Sequence, residues 1–152
     1  MSTAIKRADS AKMRDAIFAL EEQMLEQPQL VLDVINLFAP GVYARELFMP
    51  VGTLATGMIH KTEHISIMLC GRMLIPDGEG GTTEIVGPMV EIAKPGIKRV
   101  GYVTEDVRWI TIHPTDETDI EILESELVTN DITEVIGFEG GAMIENGKED
   151  KP

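Results

Sequence analysis

Gly57-Met58-Ile59-His60-Lys61-Thr62-Glu63-His64-Ile65-Ser66-Ile67-Met68-Leu69-Cys70-Gly71 is the stretch whose reading decides the fold. Apolar and polar residues alternate on either side of a polar centre at 61–63, the period-two pattern of strands. His60 and His64 are two of only three histidines in the chain. On one continuous strand four residues span roughly 13 Å, too far for two side chains to share an ion. On a helix the pair would stack on one face, as in zinc proteases. The flanks at 54–59 and 65–69 are β-like, however, and Lys61 stands where such a helix carries its Glu. A tight turn at 61–63 places the two histidines on adjacent strands, with Cβ atoms about 5 Å apart, a spacing suited to one shared metal. Imidazole is also the commonest protein metal ligand, so this clustering is the best pointer to a site.

Outward from this segment, short β-like runs cover 42–48, 54–60, 64–69, 72–75, 83–86, 89–93, 98–102 and 108–113. Gly, Pro or Asp punctuates most of the gaps, which predicts an all-β sandwich or barrel. Before residue 41 the period changes. Met13, Ile17, Leu20 and Met24 form one apolar stripe, so a helix is expected there, capped by Asp9 or Ser10 and ended by Pro28. Residues 29–38 are apolar and read equally as strand or short helix. Thr115-Asp116-Glu117-Thr118 opens a second helical segment with Ile120, Leu123 and Leu127 on one side. The expected organisation is an N-terminal helical segment at 1–40, a β-barrel at 41–114, a C-terminal helix and extension at 115–136, and a flexible acidic tail at 137–152.

The chain has 152 residues and a formal net charge of −13. That length suits one domain with a real core, and that charge argues against nucleic acid as a partner. A cluster such as Lys94, Lys98 and Arg99 remains able to bind one small anion. No apolar run approaches the roughly 18 residues of a membrane span. The N-terminal stretch lacks the apolar core of a secretory signal. The lone Cys70 has no internal disulfide partner and sits in an apolar run, so a buried, inert thiol is expected. A cytoplasmic protein is the resulting expectation.

These residues resemble the cupins over about residues 43–113. The first cupin motif runs from a Gly through His-x-His to a carboxylate and a closing Gly. Counting back from Gly71, His64 falls at the carboxylate position, His60 at the second histidine and Met58 at the first. The second motif resembles Lys94-Pro95-Gly96-Ile97-Lys98-Arg99, with the Pro displaced by one and Arg99 in the histidine place. Met58 and Arg99 are not ordinary metal ligands, which is the departure from the family pattern. The strand block is also similar to small cupin-like proteins of tailed bacteriophages. The resemblance implies a mainly β, cupin-type double-stranded β-helix (jelly-roll barrel) with an N-terminal and a short C-terminal helix.

It also implies a pocket at the barrel mouth. His60 and His64 would hold a divalent metal (Fe, Mn, Zn or Ni), with His113 as third ligand and Glu63 or Glu46 as further candidates. A second reading makes the histidines hydrogen-bonded pocket groups, with His113 bonding backbone beside Pro114. Arg99 and Tyr102 are the candidate ligand-binding residues, Arg99 because its planar donors match a carboxylate or phosphate. Tyr102 and Trp109 are otherwise sheet-packing groups. Two functions follow. One is a small-molecule-binding protein, with or without a metal. The other is a non-catalytic phage structural or accessory protein, in the virion or the host cytoplasm. A homodimer or higher homo-oligomer is expected in either case.

Overall fold

The computed structural model describes residues 11–135, together with the backbone of two short strands at 138–139 and 142–143. Helix α1 (Ala11–Met24) carries the expected stripe, with Ile17 buried and Met13, Leu20 and Met24 half-buried. Its proposed caps, Asp9 and Ser10, lie outside the described residues. The helix stops at Met24, four residues before Pro28. There the Gln29 side chain donates to the Met24 carbonyl at 2.8 Å, satisfying one of the last orphan acceptors.

Residues 29–38 resolve in favour of a strand. Strand β1 (Asp33–Ala39) pairs antiparallel with β2 (Val42–Met49), joined at Pro40 and Gly41, where Gly41 takes a positive φ. The expected helical segment at 1–40 therefore ends in a strand, and residue 40 lies inside a hairpin. Periodicity could not see this, because pairing with β2 decides it. Next come β3 (Leu54–Gly57), β4 (Ile59–His60), β5 (His64–Pro76), β6 (Thr82–Val86), β7 (Met89–Ala93) and β8 (Arg99–Pro114). Helix α2 (Ile120–Leu127) and β9 (Val128–Thr129) follow. The runs at 64–69 and 72–75 merge into β5, and those at 98–102 and 108–113 merge into β8.

These two long strands make the barrel. The first half of β5 pairs with β7, and its second half pairs with β6. The first half of β8 pairs with β3, and its second half pairs with β2. β5 and β8 pair with each other along both halves. One layer is therefore β1–β2–β8–β5–β7 and the other β3–β8–β5–β6, with β5 and β8 bending from one to the other. That is a double-stranded β-helix, the jelly-roll arrangement expected from the sequence. The bend in β5 falls at Gly71, where the register with β8 shifts. Gly71 has φ +98°, and a Cβ there would collide with the Asp106 backbone carbonyl.

Alternation fills the interior unevenly. At one end Met49, Met68, Met73, Ile75, Ile85, Val103 and Val107 form the apolar core. At the other end the inward positions are polar: Ser66, Glu91, His64 and His113 are all buried. Helix α1 is latched beside the barrel by the fully buried ammonium of Lys98. That group donates to Glu21 at 2.7 Å and to Asn130 at 3.2 Å, and lies 4.7 Å from the Phe18 ring centroid. Helix α2 begins one turn later than expected, capped by the Asp119 carboxylate, which accepts from Glu121 N and Ile122 N. The expected tail at 137–152, apart from the strands Phe138–Glu139 and Ala142–Met143, lies outside the described residues. No helix among the described residues is long and apolar enough to cross a membrane.

Candidate metal centre

His60 ends β4, His64 begins β5, and His113 lies next to the last residue of β8. The expected turn at 61–63 separates the first two. β4 is fixed by β9, where His60 pairs with Val128, and Lys61 N donates to the Leu127 carbonyl at 2.8 Å. The Lys61 ammonium donates to the Ser125 carbonyl at 2.7 Å. Helix α2 and β9 thus hold the His60 strand from outside the barrel. In the adjacent ladder, Ile65 pairs with Ile112, which brings His113 beside His64.

The three rings stack. Centroid separations are 4.0 Å for His60–His64, 4.5 Å for His64–His113 and 5.2 Å for His60–His113. One nitrogen from each lies within 4.8 Å of the others. His64 Nδ1 is 3.1 Å from the Thr62 carbonyl. A carbonyl only accepts, so Nδ1 carries the proton and Nε2 keeps its lone pair. Ser66 Oγ lies 3.4 Å from that Nε2. His113 Nδ1 is buried and has no hydrogen-bond partner.

Electrostatics keep all three neutral. Burial, then the charges of His64, His113, Arg99 and Arg45, push His60 down to about 2. Burial and then His64 push His113 down to about 4. His64 is lowered mainly by burial, against the Thr62 hydrogen bond. Three neutral imidazoles are the protonation state that metal ligation requires. Two nitrogens about 2.1 Å from one tetrahedral ion sit roughly 3.4 Å apart. His60 Nδ1 and His113 Nε2 are 3.2 Å apart. That pair has the spacing of two ligands on one nitrogen-preferring divalent ion, whereas the set of three closes only to within 4.8 Å, so a ring must shift inward for all three to bind.

The further carboxylate candidates are not in this cluster. Glu46 faces the other side of β2, paired with Arg108 at 2.5 Å, and Glu63 is tied to Lys94 at 2.7 Å on the surface. The expected basic cluster also separates: Lys94 is on that surface pair and Lys98 is buried against Glu21, so of the three only Arg99 reaches the adjoining cavity. Cys70 is exposed, contrary to expectation, because it sits next to the Gly71 bend where alternation breaks.

That cavity has a volume of about 140 Å³ and has His60 on its wall. Its lining includes the polar Arg45, Arg99, Thr56 and Thr111 and the apolar Leu47, Met49, Met73, Ile75 and Trp109. The Arg99 guanidinium lies 3.6 Å from the buried Glu91 carboxylate. Tyr102 is not part of the lining. It alternates with inward Gly101 and Val103, so it points outward and is 46 % exposed. Trp109 both packs on the core and lines the cavity. Sequence reasoning missed Arg45 and Glu91. Strand parity offered a signal for Arg45, since Tyr43, Arg45, Leu47 and Met49 alternate along one face of β2. For Glu91 the signal misled, because the apolar Val90 and Ile92 look outward.

No protein-family model and no curated protein sequence matches the chain. Solved structures do show a likeness. Ectoine synthase from P. lautus is 15 % identical, with a TM-score of 0.48 over 68 % of this chain and 78 % of that one. A cupin-2 domain protein from Shewanella frigidimarina is 12 % identical, with a TM-score of 0.41 over 68 % of this chain and 99 % of that one. An acetylacetone dioxygenase from Acinetobacter johnsonii is 15 % identical, with a TM-score of 0.44 over 58 % and 65 %. Cupin-domain proteins thus stand among the structures similar to this double-stranded β-helix. At such identities a likeness concerns fold alone, and the chemistry of this chain must come from its own residues.

Proposed function

We propose that this protein binds a divalent metal ion through His60, His64 and His113 and a small organic anion in the cavity beside it. The observation that carries this reading is the convergence of three neutral imidazoles from three strands, with one nitrogen of each within 4.8 Å of the others. Such clustering of imidazoles, two buried and His60 half-buried, has little value as packing. It desolvates polar rings against one another, and one ion repays all three.

A bound ion of this class would supply Lewis-acid polarisation of a ligand oxygen. The chain's own residues supply the rest. Arg45 and Arg99 present guanidinium donors to a carboxylate or phosphate and orient it. Glu91 holds the Arg99 side chain in place and balances its charge. The Met49, Met73, Ile75 and Trp109 side chains in the lining favour a ligand with an apolar body. His64, protonated at Nδ1 by its bond to Thr62, keeps Nε2 directed into the cluster.

Elemental analysis of gently purified protein tests the reading. About one equivalent of metal per chain is expected, absent from the His60→Ala/His64→Ala variant. A protein that is purified without metal and binds none on titration with Zn²⁺, Mn²⁺, Fe²⁺ or Ni²⁺ overturns it. A second reading, ligand capture without metal, draws on the same His60–His113 distance, since 3.2 Å also suits an N–H···N hydrogen bond. In that case an anion such as benzoate stabilises the metal-free protein, and the double variant abolishes the effect.

A further inference from the structure

We propose that the cavity beside the histidines selects a short monocarboxylate with an apolar body, and that Glu91 sets this choice by cancelling the charge of Arg99. The inference rests on the anion-binding half of the reading above and names its ligand class. Antiparallel register stacks the inward side chains of the β1–β2–β8–β5–β7 layer in rows about 6.8 Å apart. His113 and His64 stand in one row. The next row is polar on all five strands: Asn36, Arg45, Thr111, Ser66 and Glu91. The row after it is apolar on all five: Val34, Leu47, Trp109, Met68 and Met89. The cavity draws Arg45 and Thr111 from the polar row, Leu47 and Trp109 from the apolar one, and has His60 in its wall. A ligand lying along the strands therefore has its charged group near the histidines and its apolar body away from them.

Charge then fixes how many anionic groups that ligand carries. Two guanidinium groups reach the cavity, Arg45 and Arg99. The Arg99 side chain is 15 % exposed and the Glu91 side chain 5 %, with the two charged groups 3.6 Å apart. In so dry a setting one carboxylate offsets one guanidinium. Among the described residues no carboxylate lies within ion-pair distance of Arg45. One positive charge is thus left for the ligand. A second anionic group would lose its hydration against Leu47 and Trp109, or face a guanidinium already matched by Glu91. The volume of about 140 Å³ is close to the roughly 150 Å³ of a cavity that holds benzene, so a body on the order of six carbons suits it.

Isothermal titration calorimetry of the full chain in EDTA at about pH 7.5 tests this without any contribution from metal. The probes are 4-methylpentanoate and succinate, in which a second carboxylate replaces the isopropyl group at nearly the same shape. The native chain should bind 4-methylpentanoate at least about tenfold more tightly. Glu91→Gln sets free the charge of Arg99 and should narrow that preference at least about tenfold by tightening succinate, whereas Glu91→Asp should keep it. Far-UV circular dichroism reports whether each variant keeps its barrel. Should Glu91→Gln fail to fold, Arg45→Gln, at an exposed position, gives the second measurement. It should lower the affinity for 4-methylpentanoate to that for neutral 4-methylpentanamide. Binding of neither anion to the native chain overturns the anion cavity and this inference with it. Succinate bound as tightly as 4-methylpentanoate, a preference unchanged in folded Glu91→Gln, or a carboxylate preference kept in Arg45→Gln overturns this inference alone.

Discussion

His60 Nδ1 and His113 Nε2 lie 3.2 Å apart, although 53 residues separate them in the chain. Two unrelated ladders create that distance. The β4–β9 pair fixes His60 from outside the barrel, while the β2–β8 pair, with Tyr43 opposite His113, fixes the other end. His113 should therefore be as necessary to the centre as the two histidines close in sequence. His113→Ala is expected to weaken Zn²⁺ binding at least about a hundredfold, as removal of a first ligand exceeds the effect of removing its supports. Competition with a chromophoric chelator measures this, and unchanged affinity would remove His113 from the ligand set.

Acid should weaken the metal-free fold. An unfolded histidine titrates near 6.5. In the fold, burial holds His60 down to about 2 and His113 down to about 4, and lowers His64 as well. Below about 6.5 the unfolded chain takes up protons that the folded one refuses. Stability is thus full above that value and is lost as pH falls toward 4. The urea midpoint in EDTA should drop between about pH 7.5 and about pH 5, and His60→Gln/His113→Gln should flatten the slope. A midpoint that is constant or rises on acidification contradicts the buried, neutral cluster.

Breaking the α1 latch should cost more than removing it. Glu21→Ala leaves the Lys98 ammonium, whose side chain is fully buried, without its carboxylate. An unpaired buried charge of this kind costs about 3 kcal/mol. The double substitution Glu21→Leu/Lys98→Met replaces the pair with apolar volume and should recover most of that loss. Thermal melts of the two variants decide it: equal destabilisation by both would show that the pair does not act as a unit.

The bend in β5 admits only glycine. Gly71→Ala imposes a side chain at φ +98° and drives its Cβ into the Asp106 carbonyl, so β5 and β8 must separate there. Strain and overpacking together predict a loss of about 3 kcal/mol. Gly41→Ala, at a positive φ but with open space around it, should cost about 1–2 kcal/mol. Urea denaturation of the two proteins separates conformational strain from close approach.

Anion binding should depend on the two arginines and ignore the outward tyrosine. Arg45→Met and Arg99→Met are each expected to abolish the thermal shift given by benzoate while metal content is retained. Tyr102→Ala should leave the shift unchanged, because that ring faces solvent on the far side of β8. Loss of the benzoate shift in Tyr102→Ala with the arginines intact would return the tyrosine to the site.

Much of this molecule was legible in the chain. The strand block, both helices, the turn between His60 and His64 and the run at 89–93 follow from local alternation and turn residues, which act over a few positions. The closeness of His60 and His64 was legible too, since only a turn satisfies the pattern between them. What local pattern could not supply was pairing. Residues 33–39 are a strand because β2 is beside them, and the runs at 64–69 and 72–75 are one strand because Gly71 lets the chain bend without leaving the ladder.

The site divides along the same line. His60, His64 and Arg99 were identifiable from sequence, whereas the convergence with His113, the arrival of Arg45 and Glu91 and the departure of Tyr102, Glu46 and Glu63 were decided by the tertiary structure. Alternation gives each strand two faces but does not say which one looks inward. Here the polar parity of β5, β7 and β8 turned inward at one end of the barrel, because register with β2 and β8 aligned His64, Glu91, Thr111 and His113 there. The chain by itself set the local elements and singled out all three imidazoles, His113 as a third ligand on condition that the last strand reached the same mouth. Only closure of the barrel set which residues share an interior, because that depends on contacts between strands dozens of residues apart.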